Sequence, residues 1–395
     1  MAGTLVGQAA LVTGGGRGIG RAIAEELAAE GAAVTVVSRT ATQIEAVSAA
    51  IQKAGGRAQA VTCDVTDRAS VERAVKAAES KFGPISFLVN GAGQAGPFGP
   101  IGFADPDEWW AAQAVHVRGP MLFMSAVLPG MRARKAGRIL NICSIGGILT
   151  SPNISAYGVG KCAEIRLTEY VDAEGKEDGV RAFAVQPGTI ITDMAHETLN
   201  SPVAQRYLPW MIDLLSKISK ENSDKELQRC ATISAQIAAG KHDALAGRYV
   251  DFAHDLAALA QEIDRNESAT AKLENNKRTV LAFYDAAINR KDFAAASKYM
   301  GETYTQHNPT AVDGRAGLES WLKEFGRVYP DLRAEVKRIV AEGDYVVLHV
   351  YGVNGPAPHG AAVIDIFRLQ NGKVVEHWDV IQPIPAETLN DNTMF

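Results

Sequence analysis

The sequence lacks the marks of several protein classes. Its 395 residues contain no apolar run near the ~18 that a membrane span needs, and no block of like charges. A net charge of −5 offers no basic footprint for nucleic acid. The first residues do not have the layout of a signal peptide. We therefore expect neither a nucleic-acid nor a membrane partner.

Cysteine is also scarce. The four thiols, Cys63, Cys143, Cys162 and Cys230, are scattered without a C-x-x-C pair. A tetrahedral zinc site needs closely spaced ligands, so we expect no structural metal. Thiols without a pairing pattern are typical of a reducing compartment, which predicts a cytoplasmic protein.

The first two-thirds of the chain alternates short β-branched runs with longer alanine-rich stretches. The predicted strands are Leu11–Val12, Val34–Val37, Phe87–Val89, Ile139–Ile142, Phe183–Val185 and a closing strand at Leu245–Val250. Alternating strands and helices predict right-handed βαβ units. Residues 1–260 are therefore expected to form an α/β doubly wound Rossmann-type domain.

The rhythm changes near residue 255. Residues 261–275 are polar and charged, which predicts a linker or a solvated helix. A helix with one apolar face then precedes strands at Tyr345–Tyr351, Ala361–Leu369 and Lys373–Ile381. A helix followed by a run of strands predicts an α+β domain over residues 276–395.

A glycine-rich loop lies directly between the first predicted strand and the first predicted helix. Glycines permit a tight turn, and they let backbone N–H groups and the helix N-terminus approach a pyrophosphate. An ordinary glycine-rich turn is the alternative, but the placement after the first strand favours a dinucleotide site. The predicted contacts are Gly14, Gly16, Arg17, Gly18, Ile19 and Gly20.

The second predicted strand ends at Ser38 and Arg39, where a site that prefers NAD usually has a carboxylate. A guanidinium at Arg39, assisted by Arg17, suits a 2′-phosphate. Two solvated surface arginines are the alternative. The absence of an acid here favours NADP(H).

Tyr157 and Lys161 have the i, i+4 spacing that puts both on one face of a helix. A free phenol has a pKa of ~10, and a nearby ammonium favours the phenolate, so Tyr157 could exchange a proton with a carbonyl or alcohol oxygen. Ser144 follows a predicted strand and could hydrogen-bond the same oxygen.

With these motifs in order, residues 1 to about 255 resemble a short-chain dehydrogenase/reductase. The resemblance implies hydride transfer on a small-molecule carbonyl or alcohol substrate. It also implies that Asp64 and Val65 bracket the adenine, that Asn90 braces the sheet, and that Lys161 holds the nicotinamide ribose. Further cofactor contacts that it implies are Ala92, Gly93, Pro187, Gly188, Ile190 and Thr192.

His116 and residues 194–215 each allow two interpretations. His116 stands where the family usually has an asparagine that supports a proton-relay water. The imidazole, which ordinarily titrates near neutral pH, either plays a similar part or weakens the relay. Residues 194–215 are expected to form a lid, and their apolar side chains indicate either a bulky apolar substrate or packing against another subunit.

The C-terminal segment resembles the SnoaL-like branch of the nuclear-transport-factor-2-like fold, a cone-shaped α+β domain. The matching motifs are Tyr304–Pro309, Asp365–Arg368 and Gly372–Asp379. The family includes cyclases, aldol-type enzymes, isomerases and non-enzymatic members, so the resemblance implies a fold more strongly than an activity.

Strand alternation places the Asp365 carboxylate on an apolar wall, where desolvation raises the pKa of a carboxyl toward that of a general base. If the faces that carry His349 and His377 converge with His307, the four side chains could enolise a ketone. The alternative is a structural histidine–aspartate pair in a binding or assembly domain.

The preferred interpretation is a bifunctional, homo-oligomeric enzyme with an NADP(H)-dependent ketoreductase domain and a carbonyl-enolising domain. One alternative is a reductase whose second domain is a non-catalytic binding or oligomerisation module. Another is a non-enzymatic nucleotide sensor, against which the intact Ser144, Tyr157 and Lys161 argue.

Overall fold

The computed structural model describes residues 3–387, 389–390 and 392–395. The chain divides into two compact units, Met1–Gln261 and Glu262–Phe395. Helix Leu256–Tyr284 contains residues 261–275, so the segment predicted as a linker or solvated helix is helical. Among the described helices, none is long and apolar enough to cross a membrane.

The first unit contains a seven-stranded parallel sheet in the order β3-β2-β1-β4-β5-β6-β7. The strands are β1 Ala9–Thr13, β2 Ala33–Ser38, β3 Arg57–Thr62, β4 Phe87–Asn90, β5 Gly137–Ile142, β6 Val180–Gln186 and β7 Tyr249–Asp251. Its helices are α1 Gly18–Ala29, α2 Ala41–Lys53, α3 Arg68–Phe82, α4 Pro106–Gln113, α5 Gly119–Ala133, α6 Ser155–Gly175, α7 Asp193–Leu199, α8 Pro202–Tyr207, α9 Pro209–Ser216 and α10 Lys220–Ala238. Helix α11, Leu256–Tyr284, begins in this unit and belongs for most of its length to the second.

The predicted doubly wound fold is confirmed, and its central strands lie where the apolar runs predicted them. Such strands are covered on both faces, so nearly every side chain of β1, β2 and β4 is buried. Strand β3 escaped prediction because it lies at the sheet edge, where Gln59 and Thr62 interrupt the apolar pattern. The closing strand begins at Tyr249, because a 3₁₀ turn occupies Asp243–Leu245.

The second unit contains a five-stranded sheet in the order β8-β12-β11-β10-β9. Its β8–β12 pair is parallel, and the other described pairs are antiparallel. Its further elements are α12 Phe293–Ala296, β8 Met300–Gln306, α13 Gly314–Val328, β9 Arg333–Glu342, β10 Tyr345–Val353, β11 Ala361–Gln370 and β12 Lys373–Pro383. Helix α11 ends in a π-helical turn at Asp285–Asn289.

The inner face of this sheet packs on the predicted apolar face of α11, including Val280, Phe283 and Tyr284. Strands β10, β11 and β12 confirm the three predicted strands. Strands β8 and β9 were not predicted, because each alternates with charged or polar residues and buries one face at most. The mixed sheet and its helices fit the predicted α+β cone.

Candidate active site

A cleft opens at the carboxyl ends of β1 and β4, where the strand order reverses. Ligands bind doubly wound sheets at such a switch point. The cleft is lined by most of the predicted cofactor residues: Gly14, Gly16, Arg17, Gly18, Ile19, Gly20, Ser38, Arg39, Asp64, Val65, Ala92, Gly93, Tyr157, Lys161, Pro187 and Thr192. The other three are not among the lining residues. Asn90 donates to Asn141 beneath the cleft (2.7 Å), while Gly188 and Ile190 follow Pro187.

The glycine loop leads into the N-terminus of α1 and has no room for a side chain at Gly14 or Gly20. Gly14 has a positive φ of 66°. A Cβ on Gly20 would lie 2.4 Å from the Gly14 carbonyl oxygen, so only glycine fits. The bare backbone and the helix N-terminus together form a cradle that suits a dinucleotide pyrophosphate.

Asp64 also lines the cleft, and its carboxylate accepts hydrogen bonds from the backbone N–H and the hydroxyl of Thr66. The backbone hydrogen bond does most to lower the pKa of Asp64, and the charge of Arg39 adds to it. Arg39 is exposed beside Ser38. Arg17 instead pairs with Glu197 of α7 (2.8 Å), so its guanidinium is already engaged.

The predicted helical pair lies on α6, with the Lys161 Nζ 5.8 Å from the centroid of the Tyr157 ring. Ser144 follows β5, and its Oγ accepts from the Gly146 N–H (3.1 Å). The Ser144 Oγ and the Tyr157 Cε1 both lie within 3.6 Å of the point where a Cβ on Gly146 would stand. The serine hydroxyl and the phenol ring therefore flank the same glycine.

Lys161 is buried and donates to two oxygens, those of the Ile142 carbonyl and the Glu164 carboxylate, both at 2.6 Å. Burial is the largest single influence and opposes the charge of Lys161, but the interactions with Glu164, Tyr157 and Cys143 together outweigh burial and raise the pKa of the ammonium. Burial also raises the pKa of Glu164 to about 7, against the effect of Lys161. Nothing in the sequence marked Glu164 as a site residue, since a glutamate in a helix ordinarily faces solvent.

His116 corrects one expectation. It lies fully buried in a π-helical turn, Ala114–Arg118, between α4 and α5. Burial, and then the charge of Lys161, lowers the pKa of its imidazole to about 3, so the ring does not titrate near neutral pH. Its Nε2 donates to the Gln94 carbonyl (2.8 Å), which leaves Nδ1 as an acceptor. Among the described residues, that Nδ1 has no partner.

The neutral ring is held closely from two sides. It lies perpendicular to the ring of Tyr157, with ring centroids 5.5 Å apart. A Cβ on Gly160 would lie 2.6 Å from the His116 Cβ, so this glycine lets the π-helical turn approach α6. A neutral imidazole with a free acceptor can bind a water molecule, but it cannot carry the proton as a cation at working pH.

The predicted lid, 194–215, spans α7 to α9. Part of it forms an apolar wall beside the phenol, where Ile154, Ala204 and Leu208 are buried against Tyr157 and Met211. Trp210 and Leu214 of α9 point outward and are each 46% exposed. The segment therefore supplies an apolar surface both at the cleft and on the outside.

The second unit brings two of its four predicted catalytic side chains together. His377 and Asp365 are buried on the inner face, with Nε2 and Oδ1 2.9 Å apart. The Tyr284 hydroxyl donates to the other Asp365 oxygen (2.8 Å), and the Gln306 Oε1 faces the His377 Nδ1 (3.1 Å). Both ring nitrogens of His377 therefore face oxygens.

Asp379 of β12 is the register partner of Asp365 on the neighbouring strand β11, and its carboxylate accepts a hydrogen bond from Asn308 (2.7 Å). Atoms of Asp365, His377 and Asp379 that could bind a metal ion lie within 4.8 Å of one another. Each of these side chains, however, already makes a hydrogen bond with a neighbouring side chain. Burial, followed by the charge of Asp365, raises the pKa of Tyr284 and of Tyr304, so both phenols stay neutral donors.

The predicted convergence is wrong for His307 and His349. His349 pairs in register with Ile364, so it lies on the opposite face of the sheet from Asp365 and contacts Arg338 (3.1 Å). His307 stacks on Trp378 and contacts Glu376, also on the outer face. Strand alternation gives the residues that share a face, but it does not give which face is buried.

Alternation along β8 could have found further members of this site. Tyr304 and Gln306 share a face in the motif that marks the domain, and Tyr284 stands on the predicted apolar helix face. No sequence signal indicated that Asn308, beyond the end of β8, reaches Asp379.

Comparisons with known proteins agree with this architecture. Residues 8–202 match the short chain dehydrogenase family, and residues 280–377 match the SnoaL-like domain. A short chain dehydrogenase of Pseudocercospora fijiensis is 31% identical over 268 residues, which cover 67% of this chain and 85% of that protein. The 2-(S)-hydroxypropyl-CoM dehydrogenase 3 of Xanthobacter autotrophicus is 37% identical over 202 residues, 51% of this chain and 79% of that protein.

The crystal structure of the KRED1-Pglu enzyme aligns with a TM-score of 0.56 and 27% identity, covering 62% of this chain and 100% of that one. The fold and the cleft are those of an oxidoreductase that binds a nicotinamide cofactor. The chain belongs to the short-chain dehydrogenase family and carries a SnoaL-like domain at residues 280–377.

Proposed function

We propose that the first unit is an NADP(H)-dependent ketoreductase or alcohol dehydrogenase acting on a bulky apolar carbonyl compound. The observation that carries this proposal is that Tyr157 and Lys161 line the same cleft as the glycine cradle, with Ser144 beside Tyr157 at Gly146. The nicotinamide cofactor supplies or accepts the hydride.

The side chains handle the proton and the oxygen. Tyr157 donates its phenolic proton to the carbonyl oxygen during reduction, and takes it back from the alcohol during oxidation. The Ser144 hydroxyl hydrogen-bonds the same oxygen. The Lys161 ammonium stabilises the phenolate, and the acceptor Nδ1 of His116 can hold a water near the tyrosine. The apolar wall at Leu208 and Met211 favours an apolar substrate.

The preference for NADP(H) rests on the cleft end at Ser38 and Arg39. Arg39 is a cation at the cleft edge, and Ser38 supplies a hydroxyl where an acid would repel a 2′-phosphate. Arg17 joins them only if its pair with Glu197 opens.

NADPH oxidation over a panel of bulky ketones tests the reductase. Turnover should fall by ~10³-fold in Tyr157→Phe, because a positioned proton donor contributes about that much. NADPH binding should stay near that of the wild type. Turnover that survives in Tyr157→Phe would exclude the mechanism. If no ketone reacts, the same comparison is made for alcohol oxidation with NADP+.

For the second unit we propose carbonyl-enolising chemistry of an aldol, cyclase or isomerase type. Of the four predicted catalytic residues, only Asp365 and His377 remain in this proposal. Asp365 would remove the α-proton, and a neutral Tyr284 or Tyr304 would stabilise the enolate oxygen. A product that changes in Asp365→Asn, with the reductase step intact, supports this activity.

A second candidate for this unit is a non-catalytic binding or assembly module. It is favoured by the completeness of the Asp365 and His377 hydrogen bonds and by the apolar outer face of the sheet. Val340, Tyr345 and Val380 of that face are 62%, 46% and 69% exposed. We propose that the protein is a homo-oligomer. Light scattering of the wild type and of Val380→Glu tests the outer face as an interface.

We propose that the enzyme works in the cytoplasm. Its four cysteines are unpaired, and Cys63, Cys143 and Cys230 are buried thiols, which suits a reducing compartment. Localisation of a tagged full-length chain in its host cell tests this proposal.

A further inference from the structure

The lysine of the proposed active site forms an ion pair with a buried glutamate. Lys161 and Glu164, one helical turn apart on α6, form a pair whose side chains are only 7% and 0% exposed. The ammonium has three donors, and two are used by the Ile142 carbonyl and the Glu164 Oε2 at 2.6 Å. One donor is left for the cleft, which Lys161 lines.

The other carboxylate oxygen, the Glu164 Oε1, is buried and has no hydrogen-bond partner among the described residues. An unsatisfied buried carboxylate oxygen costs folding free energy, so this acid is a poor choice for stability alone. A well-packed apolar residue would fill the position at a lower cost.

We propose that Glu164 is a positioning residue for Lys161. Its carboxylate fixes the ammonium against the Ile142 carbonyl and compensates the lysine charge, and thereby sets the pH range in which Tyr157 exchanges its proton. The proposal rests on the reductase function proposed above.

The titratable side chains that surround the Lys161–Glu164 pair are neutral near pH 7, so the pair determines the local charge. Tyr157 stands on the same helix. Cys143 at the end of β5 and Tyr249 of β7 are held neutral, because burial raises the pKa of both. His116 from the π-helical turn is neutral because burial lowers its pKa to about 3. Near pH 7 the charge at the site therefore depends on the pair.

Glu164 is the member of the pair that titrates. The raised pKa of Lys161 keeps the ammonium charged throughout, whereas Glu164, with a pKa of about 7, loses its proton near neutrality. Below that pH the pair carries one net positive charge, and above it the pair is neutral. A neutral pair stabilises the phenolate less than a lone ammonium does.

The test compares wild type, Glu164→Gln and Glu164→Asp, with Glu174→Gln as a matched control on the exposed side of the same helix. Values of kcat and KM for ketone reduction are measured from about pH 5.5 to about pH 9.5. Glutamine keeps the length and an acceptor oxygen but removes the charge. Aspartate keeps the charge but shortens the reach.

In Glu164→Gln the lysine charge is uncompensated at every pH. The alkaline midpoint of kcat should move to lower pH by about one unit, since removal of a nearby buried charge shifts a pKa by that order. Glu164→Asp should keep the wild-type midpoint but raise the KM for NADPH, because the ammonium is less well held. Glu174→Gln should match the wild type. An unshifted midpoint in a folded, active Glu164→Gln overturns the proposal.

A binding measurement separates this proposal from the proposed reductase function. The affinity of wild type for NADPH, followed by fluorescence without any ketone, should fall relative to Glu164→Gln as the pH rises through 7, the approximate pKa of Glu164. Equal pH dependence in the two proteins overturns the role of Glu164 even where no ketone is turned over. If Glu164→Gln does not fold, wild type and Glu164→Asp are compared, and a midpoint displaced in Glu164→Asp contradicts the proposal.

Discussion

The buried polar site of the first unit and that of the second unit differ in how many of their polar atoms have a hydrogen-bond partner. In the first unit, Glu164 Oε1 and His116 Nδ1 have no partner within the described structure, and Lys161 keeps one donor for the cleft. In the second, both oxygens of Asp365 and both nitrogens of His377 are engaged.

An unsatisfied buried polar atom costs about 1–3 kcal/mol, so such atoms persist where a ligand or water completes them. The first site is therefore arranged around something that binds, whereas the second is complete before any ligand arrives. The difference explains why the geometry argues for the reductase more directly than for the second activity.

The largest loss of activity and of stability is expected for Lys161→Met, which removes the cation of the first site. Turnover should fall by ~10³-fold, because the tyrosine loses the charge that stabilises its phenolate. The free energy of unfolding should fall by about 3–5 kcal/mol at a pH where Glu164 is ionised, since the carboxylate is left buried and unpaired. Thermal unfolding at two pH values measures this loss, which should shrink at low pH.

The control for that variant is the double substitution Lys161→Met with Glu164→Gln. It should recover most of the stability and none of the turnover. Equal stability of the single and the double variant would show that the pair carries little of the folding energy.

Tyr284→Phe applies the same operation to the satisfied site. Asp365 loses one of its two donors, so stability should fall by about 1–3 kcal/mol. Ketone reduction by the first unit should keep its kcat. Denaturant unfolding measures the loss, with Tyr299→Phe as the control. A variant as stable as the wild type would mean that water replaces the hydroxyl, and that this site is more open than its contacts indicate.

Arg39→Ala sharpens the account of the cofactor end of the cleft. A charge-assisted hydrogen bond to a phosphate contributes about 2 kcal/mol, so the KM for NADPH should rise about 30-fold. The KM for NADH should barely change. Arg68→Ala, an exposed arginine on α3, is the control. Equal effects on both cofactors would assign Arg39 to the surface.

The smallest expected effect concerns His116 and pH. Its folded pKa of about 3 lies below the ordinary 6.5, so the unfolded chain takes up a proton that the folded chain does not as the pH falls through 6.5. At pH 5.5 this linkage should cost the first unit about 1 kcal/mol relative to neutral pH. His116→Asn should remove that part of the acid dependence in thermal melts at both pH values, and an unchanged dependence would contradict burial of the neutral ring.

Much of the fold follows from local patterns. The apolar runs predicted the central strands of the parallel sheet, because strands buried on both faces are nearly continuous in hydrophobicity. Edge strands such as Arg57–Thr62 have a weaker signal, since only part of their surface is buried. The i, i+4 spacing predicted that Tyr157 and Lys161 share a helix face, because that relation is local.

What the sequence could not supply was environment. Period-two alternation groups His349 with its strand neighbours, but burial of the other face depends on what the sheet packs against. Glu164 looks like any helix glutamate until α6 is seen to bury that position. The low pKa of His116 likewise arises from burial and from Lys161, which lies 45 positions further along the chain.

The π-helical turn at Ala114–Arg118 has a consequence for how the gene can change. Such a turn holds one residue more than a regular helix needs, so deleting Val117 would leave α4 and α5 joined by an ordinary helix. The deletion would turn His116 away from α6 by about 100°, one residue's rotation. A single lost codon would therefore turn the imidazole away from Tyr157, and a chain shorter by one residue here would lack the free Nδ1 acceptor at this position.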